Sequence, residues 1–232
     1  MECPPVVLIP GLLCSPRLYA EQIPALWQFG PVSVASHHHD DNIAVAAERV
    51  LAAAPPQFAL AGLSMGAYLA FEIMRRAGDR VTRLTLLNTS ARPDTVEQVQ
   101  RRRSQIAMTQ GGRFADVVDS LYLRWVRPAR RGDPALRRVI RQMADETGPQ
   151  AFLRQQTTIM GRPDSRPGLT AIDCPVLVVA GEDDNVTLPE CATEIADLIP
   201  QARLLRIPDC GHLSTLEQPA ATTRALVDWL TR

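Results

Sequence analysis

The chain has 232 residues, 46% of them hydrophobic, and a formal net charge of +0. That length and apolar content suit one globular domain with a full core and room for a small insertion. Zero net charge leaves no electrostatic footprint for nucleic acid or for an anionic membrane, and no apolar run approaches the roughly 18 residues of a membrane span.

The first predicted strand is Val6–Ile9, an unbroken apolar run stopped by Pro10-Gly11. Such runs suit strands buried on both faces, as in parallel sheets. A shorter strand is expected at 32–35. Asp40-Asp41 then offers an N-cap for a helix over 42–54, closed by Pro55-Pro56. Phe58–Leu63 is the third strand; it leads through Ser64-Met65-Gly66 into an Ala-rich helix expected to stop at Gly78. Val81–Leu87 is the fourth strand, with further strands at 176–180 and 203–207. Helices are expected at 189–199 and 219–230. Strand and helix alternate, which implies right-handed βαβ units and a parallel sheet covered by helices.

Residues 91–168 break the alternation. They read as three or four helices separated by Gly111-Gly112, Gly132-Asp133-Pro134, Gly148-Pro149 and Gly161-Arg162-Pro163. This is an insertion between the fourth and fifth strands. It carries 15 Arg against 8 acids, and since the chain sums to +0 the remainder is acidic. The excess reads either as solvated helix faces with i,i+4 partners or as an attraction for an anionic substrate, such as a carboxylate-bearing ester, an acyl-CoA or an acyl carrier protein.

All 25 basic residues are Arg, which reads as codon bias rather than mechanism. Five Cys (Cys3, Cys14, Cys174, Cys191, Cys210) form an odd set without CxxC spacing. That argues against a disulfide framework or a zinc site and for reduced thiols in a cytoplasmic protein. The opening Met1-Glu2-Cys3-Pro4-Pro5 lacks the basic start of a signal sequence. His37-His38-His39-Asp40-Asp41 reads as a solvated loop and helix cap rather than a metal site, because adjacent loop residues seldom converge on one ion. Cys14 and Cys210 read as small packing residues.

Gly62-Leu63-Ser64-Met65-Gly66 fits G-x-S-x-G directly after a strand and before a helix, the setting that makes the motif meaningful. The turn is too tight for bulky neighbours, and the helix N-terminus behind it favours developing negative charge. Ser64 is therefore the candidate nucleophile. A serine hydroxyl needs a base; His212, at the C-terminal end of the last strand, is the candidate. The imidazole in turn needs a carboxylate to hold its tautomer. Glu182, Asp183 and Asp184 all lie at the end of the fifth strand, and spacing alone leaves the three open. Oxyanion donors are expected from the backbone N–H groups of Met65 and of Leu12, the latter in the loop Pro10-Gly11-Leu12-Leu13. Leu13 and Met65 are expected to line an apolar acyl pocket.

Taken together, Pro10-Gly11-Leu12, the elbow from Gly62 to Gly66, Leu86-Leu87-Asn88-Thr89, the acid turn from Gly181 to Asp184 and the run from Gly211 to Pro219 resemble the α/β-hydrolase superfamily along nearly the whole chain. Asp184-Asn185-Val186-Thr187 and Gly211-His212-Leu213-Ser214-Thr215-Leu216-Glu217-Gln218-Pro219 are especially similar to 3-oxoadipate enol-lactonases and related carboxylesterases. The resemblance implies an α/β-hydrolase fold with a mostly parallel sheet of about six strands. It points to Asp184 as the acid, with Asp183 as the fallback, and makes 91–168 a helical cap over the pocket. The chain departs from the family in three places. Pro10-Gly11 stands where His-Gly is frequent, the two antiparallel edge strands at the start are missing, and Ala67 replaces a second Gly after the elbow. The activity implied is hydrolysis of an ester, lactone or thioester of a small acyl substrate through an acyl-enzyme, without a cofactor or metal. A lyase or cofactor-free peroxidase on the same site, or a binding protein that has kept the fold, are the alternatives.

Overall fold

The computed structural model describes residues 3–231. Met1 and Glu2, and with them the start of the N-terminal reading above, lie outside the described residues. In chain order the elements are β1 (Val6–Ile9), α1 (Ile23–Trp27), β2 (Val32–Val34), α2 (Ile43–Ala53), β3 (Phe58–Leu63), α3 (Met65–Ala77), β4 (Val81–Leu87), α4 (Val96–Gln110), α5 (Phe114–Trp125), α6 (Pro134–Met160), β5 (Val176–Gly181), α7 (Pro189–Leu198), β6 (Ala202–Ile207), α8 (Ser214–Glu217) and α9 (Pro219–Thr231).

The six strands form one sheet in the order β2-β1-β3-β4-β5-β6, and every pairing among the described residues is parallel. β1, β3 and β5 are buried along their full length, which is why they read as continuous apolar runs. The edge strands β2 and β6 carry partly exposed residues instead. Right-handed crossovers put α2, α3 and α7 on one face and α1 on the other. Accordingly α2 packs on α3, and α1 packs on α9. Strand order reverses between β1 and β3, so the loops after these two strands open a crevice at the C-terminal edge of the sheet, the place where ligands bind in open α/β sheets.

Three helices, α4 to α6, fill the stretch between β4 and β5 and pack on one another. Gly148, with φ 77, breaks α6 ahead of Pro149, so that it runs as two helical segments. Thr95 and Gln98 close a capping box at the start of α4, and Asp133 caps α6. A buried carboxylate fastens the group: Asp94 meets Arg102 of α4 at 2.5 Å and Arg162, just past α6, at 2.7 Å. The Arg162 guanidinium lies 4.1 Å over the Tyr68 ring of α3, tying the insertion to the sheet layer.

One helix-end expectation is corrected. Asn42, not Asp40 or Asp41, caps α2, its Oδ1 accepting from the N–H groups of Ala44 and Val45. Asp40 is bound instead in a two-pronged pair with Arg49. α3 does end where expected, at Ala77 with Gly78 as its C-cap, but Gly78 is right-handed (φ −59) and the chain passes into a 3-10 turn over Gly78–Arg80. Among the described residues no helix is long and apolar enough to cross a membrane.

Candidate active site

Strand β3 ends at Leu63 and α3 begins at Met65, so Ser64 alone must turn the chain. It does so at φ 55, ψ −112, a conformation costly for a residue with a side chain. The turn is held by Ser64 N–H donating to Leu87 O at 2.9 Å and by the Thr89 hydroxyl donating to Ser64 O at 3.1 Å. It is possible because position 66 lacks a side chain: a Cβ there would stand 2.0 Å from Ile9 O. The hydroxyl is thus lifted above the C-terminal edge of the sheet.

The imidazole of His212 reaches it from the loop after β6, with Nε2 2.9 Å from Ser64 Oγ. On the other side, Nδ1 lies 2.9 Å from Asp184 Oδ2. Asp184 is buried and accepts from four further groups: the N–H groups of Val186 and Thr187, the Thr187 hydroxyl at 2.8 Å and Asn88 Nδ2 at 3.1 Å. Burial alone would raise this carboxyl. The adjoining His212 ring and these donors outweigh it and hold Asp184 below the ordinary carboxylate value. An ionised carboxylate only accepts, so Nδ1 carries the imidazole proton and Nε2 presents its lone pair to the serine hydroxyl.

Of the three competing acids, the structure brings Asp184 to the imidazole. Glu182 is exposed, and Asp183 pairs with Arg127 at 2.9 Å. Asn88 (φ 46) also donates to Gly211 O at 3.1 Å, so one side chain braces both the acid and the histidine loop. Gly181 allows that loop to press close, since a Cβ there would stand 2.2 Å from Gly211 O.

The histidine loop is bonded to the helical insertion as well. His212 N–H donates to Trp125 O at 2.8 Å, and Arg127 N–H donates to Glu217 Oε2 at 3.0 Å. The Arg127 side chain also pairs with Asp209 at 2.8 Å. Burial raises the Glu217 carboxyl above its ordinary value, against the backbone donors that it collects from Arg127 and Leu213.

The loop after β1 is shaped by a residue with no sequence signature. Gln155, buried in α6, accepts from Leu13 N–H at 3.1 Å through Oε1, and its Nε2 donates to His37 Nδ1 at 3.1 Å. His37 Nε2 donates in turn to Pro10 O at 2.9 Å. The His37 ring is therefore not in a solvated loop, as its polar neighbours suggest, but is 1% exposed and serves as a strut. Leu13 takes φ 56. Among the described residues the N–H groups of Leu12 and Met65, the expected oxyanion donors, find no acceptor within the chain.

Burial, with a smaller push from His38, lowers the His37 pKa from 6.5 to about 4. Between those values the unfolded chain binds more protons than the native one, so native stability rises with pH across that window. His37→Gln is expected to flatten the urea midpoint between pH 6.5 and 4, removing a loss on the order of 3 kcal/mol. An unchanged slope in the variant would assign the acid limb to other groups.

A cavity of about 380 Å³ opens over Ser64 and His212, walled by Leu12, Tyr68, Leu121, Trp125, Val186 and Leu213 among others. Leu13 and Met65 do not line it, which corrects the expectation. Met65 starts α3 and is turned into the core, and Leu13 is buried in the loop that Gln155 anchors. Cys14 and Cys210 are buried and form no disulfide; burial pushes the Cys14 thiol up to about 12 and raises Cys210 also. Among the described residues no group of three or more His, Cys, Asp or Glu side chains converges for a metal ion.

The pattern of the Alpha/beta hydrolase family matches residues 6–225. The chain belongs to that family. It is 31% identical over 170 residues to a Mycobacterium tuberculosis protein named as a non-heme bromoperoxidase, BpoC. The match covers 72% of this chain and 65% of that relative, so the chain spans just under two thirds of the relative's length. Among solved structures, an enol-lactonase from Burkholderia xenovorans superposes with a TM-score of 0.90 at 26% identity, over 100% of this chain and 93% of the other. A thermophilic esterase from Thermogutta terrifontis, with malate bound, gives 0.88 at 29% identity, covering 97% and 89%.

Proposed function

We propose that the chain is a cofactor-free serine hydrolase that cleaves a carboxylic ester, lactone or thioester of a small acyl substrate. The observation that carries this reading is the continuous relay from Ser64 Oγ through His212 to Asp184, with both links at 2.9 Å. Ser64 attacks the acyl carbon while His212 Nε2 takes its proton. The resulting imidazolium is stabilised by Asp184, and it then protonates the leaving oxygen or sulfur. The N–H groups of Leu12 and Met65 hold the oxyanion. A water activated by the same imidazole releases the acid. The helices between β4 and β5 act as a cap, and the esterase and enol-lactonase likenesses support ester or lactone chemistry for this chain.

Intact mass after incubation with a fluorophosphonate tests the reading. One adduct is expected on the parent and none on Ser64→Ala, followed by turnover of p-nitrophenyl esters by the parent alone. A well-folded parent that takes no adduct would sink it and favour a binding protein. The bromoperoxidase-named relative favours a second reading, peroxide chemistry on the same site; bromide oxidation with hydrogen peroxide but no ester turnover would select it.

A further inference from the structure

The cavity over Ser64 is strongly cationic. Its charged lining consists of Arg92, Arg101, Arg102, Arg124, Arg162 and a single acid, Asp94. Three of the arginines are satisfied inside the protein: Arg92 by Glu194 at 2.9 Å, and Arg102 and Arg162 by the shared Asp94. Arg101 and Arg124 form no ion pair among the described residues. Their placement follows from helix spacing. Arg101 lies between Gln98 and Gln105 on the cavity face of α4, and Arg124 follows Leu121 by three residues on α5.

Arg124 is half-buried and feels the like charges of Arg101 and Arg102. Burial first, then Arg101 and Arg102, push its pKa below the ordinary value. A guanidinium withdrawn from water without a counter-charge is costly, and an arriving carboxylate offsets that cost while matching the planar fork with two hydrogen bonds.

We propose that Arg124, with Arg101 beside it, binds a carboxylate at the end of the substrate remote from the scissile carbonyl, so that the enzyme acts on monoesters of dicarboxylic acids or similar anionic acyl compounds. The inference rests on the hydrolase reading above and names its substrate class. The apolar walls at Leu121 and Trp125 adjoin Arg124 on the same helix and would hold the methylene chain.

The test compares p-nitrophenyl monoesters of linear dicarboxylic acids with neutral esters of equal chain length. The parent is expected to favour the anionic series, with kcat/KM falling as salt rises, while the neutral series stays level. Arg124→Ala should lower kcat/KM for the anionic esters by roughly 10–100-fold, chiefly through KM, and for the neutral ones by less than about threefold. Arg124→Lys, which keeps a cation in the last turn of α5, should restore part of the preference. Equal losses on both series, or a parent without preference, overturn the proposal. Thermal shift with adipate separates the two readings. Stabilisation of the parent and of Ser64→Ala but not of Arg124→Ala, without turnover of any ester, keeps the subsite and rejects the hydrolase. Fluorophosphonate labelling at Ser64 without anionic preference and without an adipate shift does the reverse.

Discussion

Ser64→Ala and His212→Ala should each lower kcat on an activated ester by about 10⁶-fold, and the double variant should be scarcely worse than either single one. The reason is geometric. With Nε2 2.9 Å from Oγ, base and nucleophile act as one unit. A hydroxyl without its base attacks poorly, and a base without its hydroxyl has nothing to deprotonate. Circular dichroism and thermal melts of the three variants check that the fold persists. Ala keeps the Cβ of Ser64, so the strain at φ 55 persists and the Tm of Ser64→Ala should stay close to that of the parent. Losses that multiply in the double variant would mean that the two residues act in separate steps.

Asp184→Asn is the second large effect, expected to lower kcat by about 10⁴-fold with little change in KM. The carboxylate oxygen facing Nδ1 can only accept, which obliges the ring to keep its proton there. An amide in its place can donate to Nδ1, and the proton then moves to Nε2, where it blocks the uptake of the serine proton. Asp183→Asn supplies the control. Asp183 faces Arg127 rather than the imidazole, and its loss should alter kcat by less than about threefold. The pH profile separates tautomer from charge, because a wrong tautomer lowers the plateau at all pH values. Equal effects at the two positions would reassign the acid.

Much of this was legible in the sequence where a single strand end carries the information. The apolar runs of β1, β3 and β5 fall between Gly and Pro breaks, so their limits follow from composition. Ser64, the acids and His212 each sit at the C-terminal end of a strand, and a parallel sheet brings such ends together. The choice of Asp184 came only through resemblance, since nothing in the spacing of Glu182, Asp183 and Asp184 favours one. Short helices escaped: α1 has four residues beyond its first, with Pro24 near its start, and α8 spans a single turn. Long-range polar pairs escaped as well. His37 and Gln155 are 118 residues apart, and neither carries a local mark of burial. Asn88 stands in the strand-end motif Leu86-Leu87-Asn88-Thr89, but its role depends on Asp184 and Gly211, which belong to distant loops. The misplacing of Leu13 and Met65 has the same origin, because sequence neighbours of catalytic atoms need not point their side chains at the substrate.

The bond from His212 N–H to Trp125 O, together with those of Arg127 to Glu217 and Asp209, sets a boundary for recombination. The helical insertion is not an interchangeable module over its whole length. Its stretch from Trp125 to Arg127 is in effect part of the scaffold of the His212 loop. A chimera that takes α4 to α6 from a relative must keep the backbone path at Trp125 and Arg127 and the Arg127 side chain, or it will lose the imidazole's placement along with the old specificity. Grafts confined to the cavity face of α4, at Gln98 and Arg101, can change the wall of the pocket while leaving the histidine loop in place.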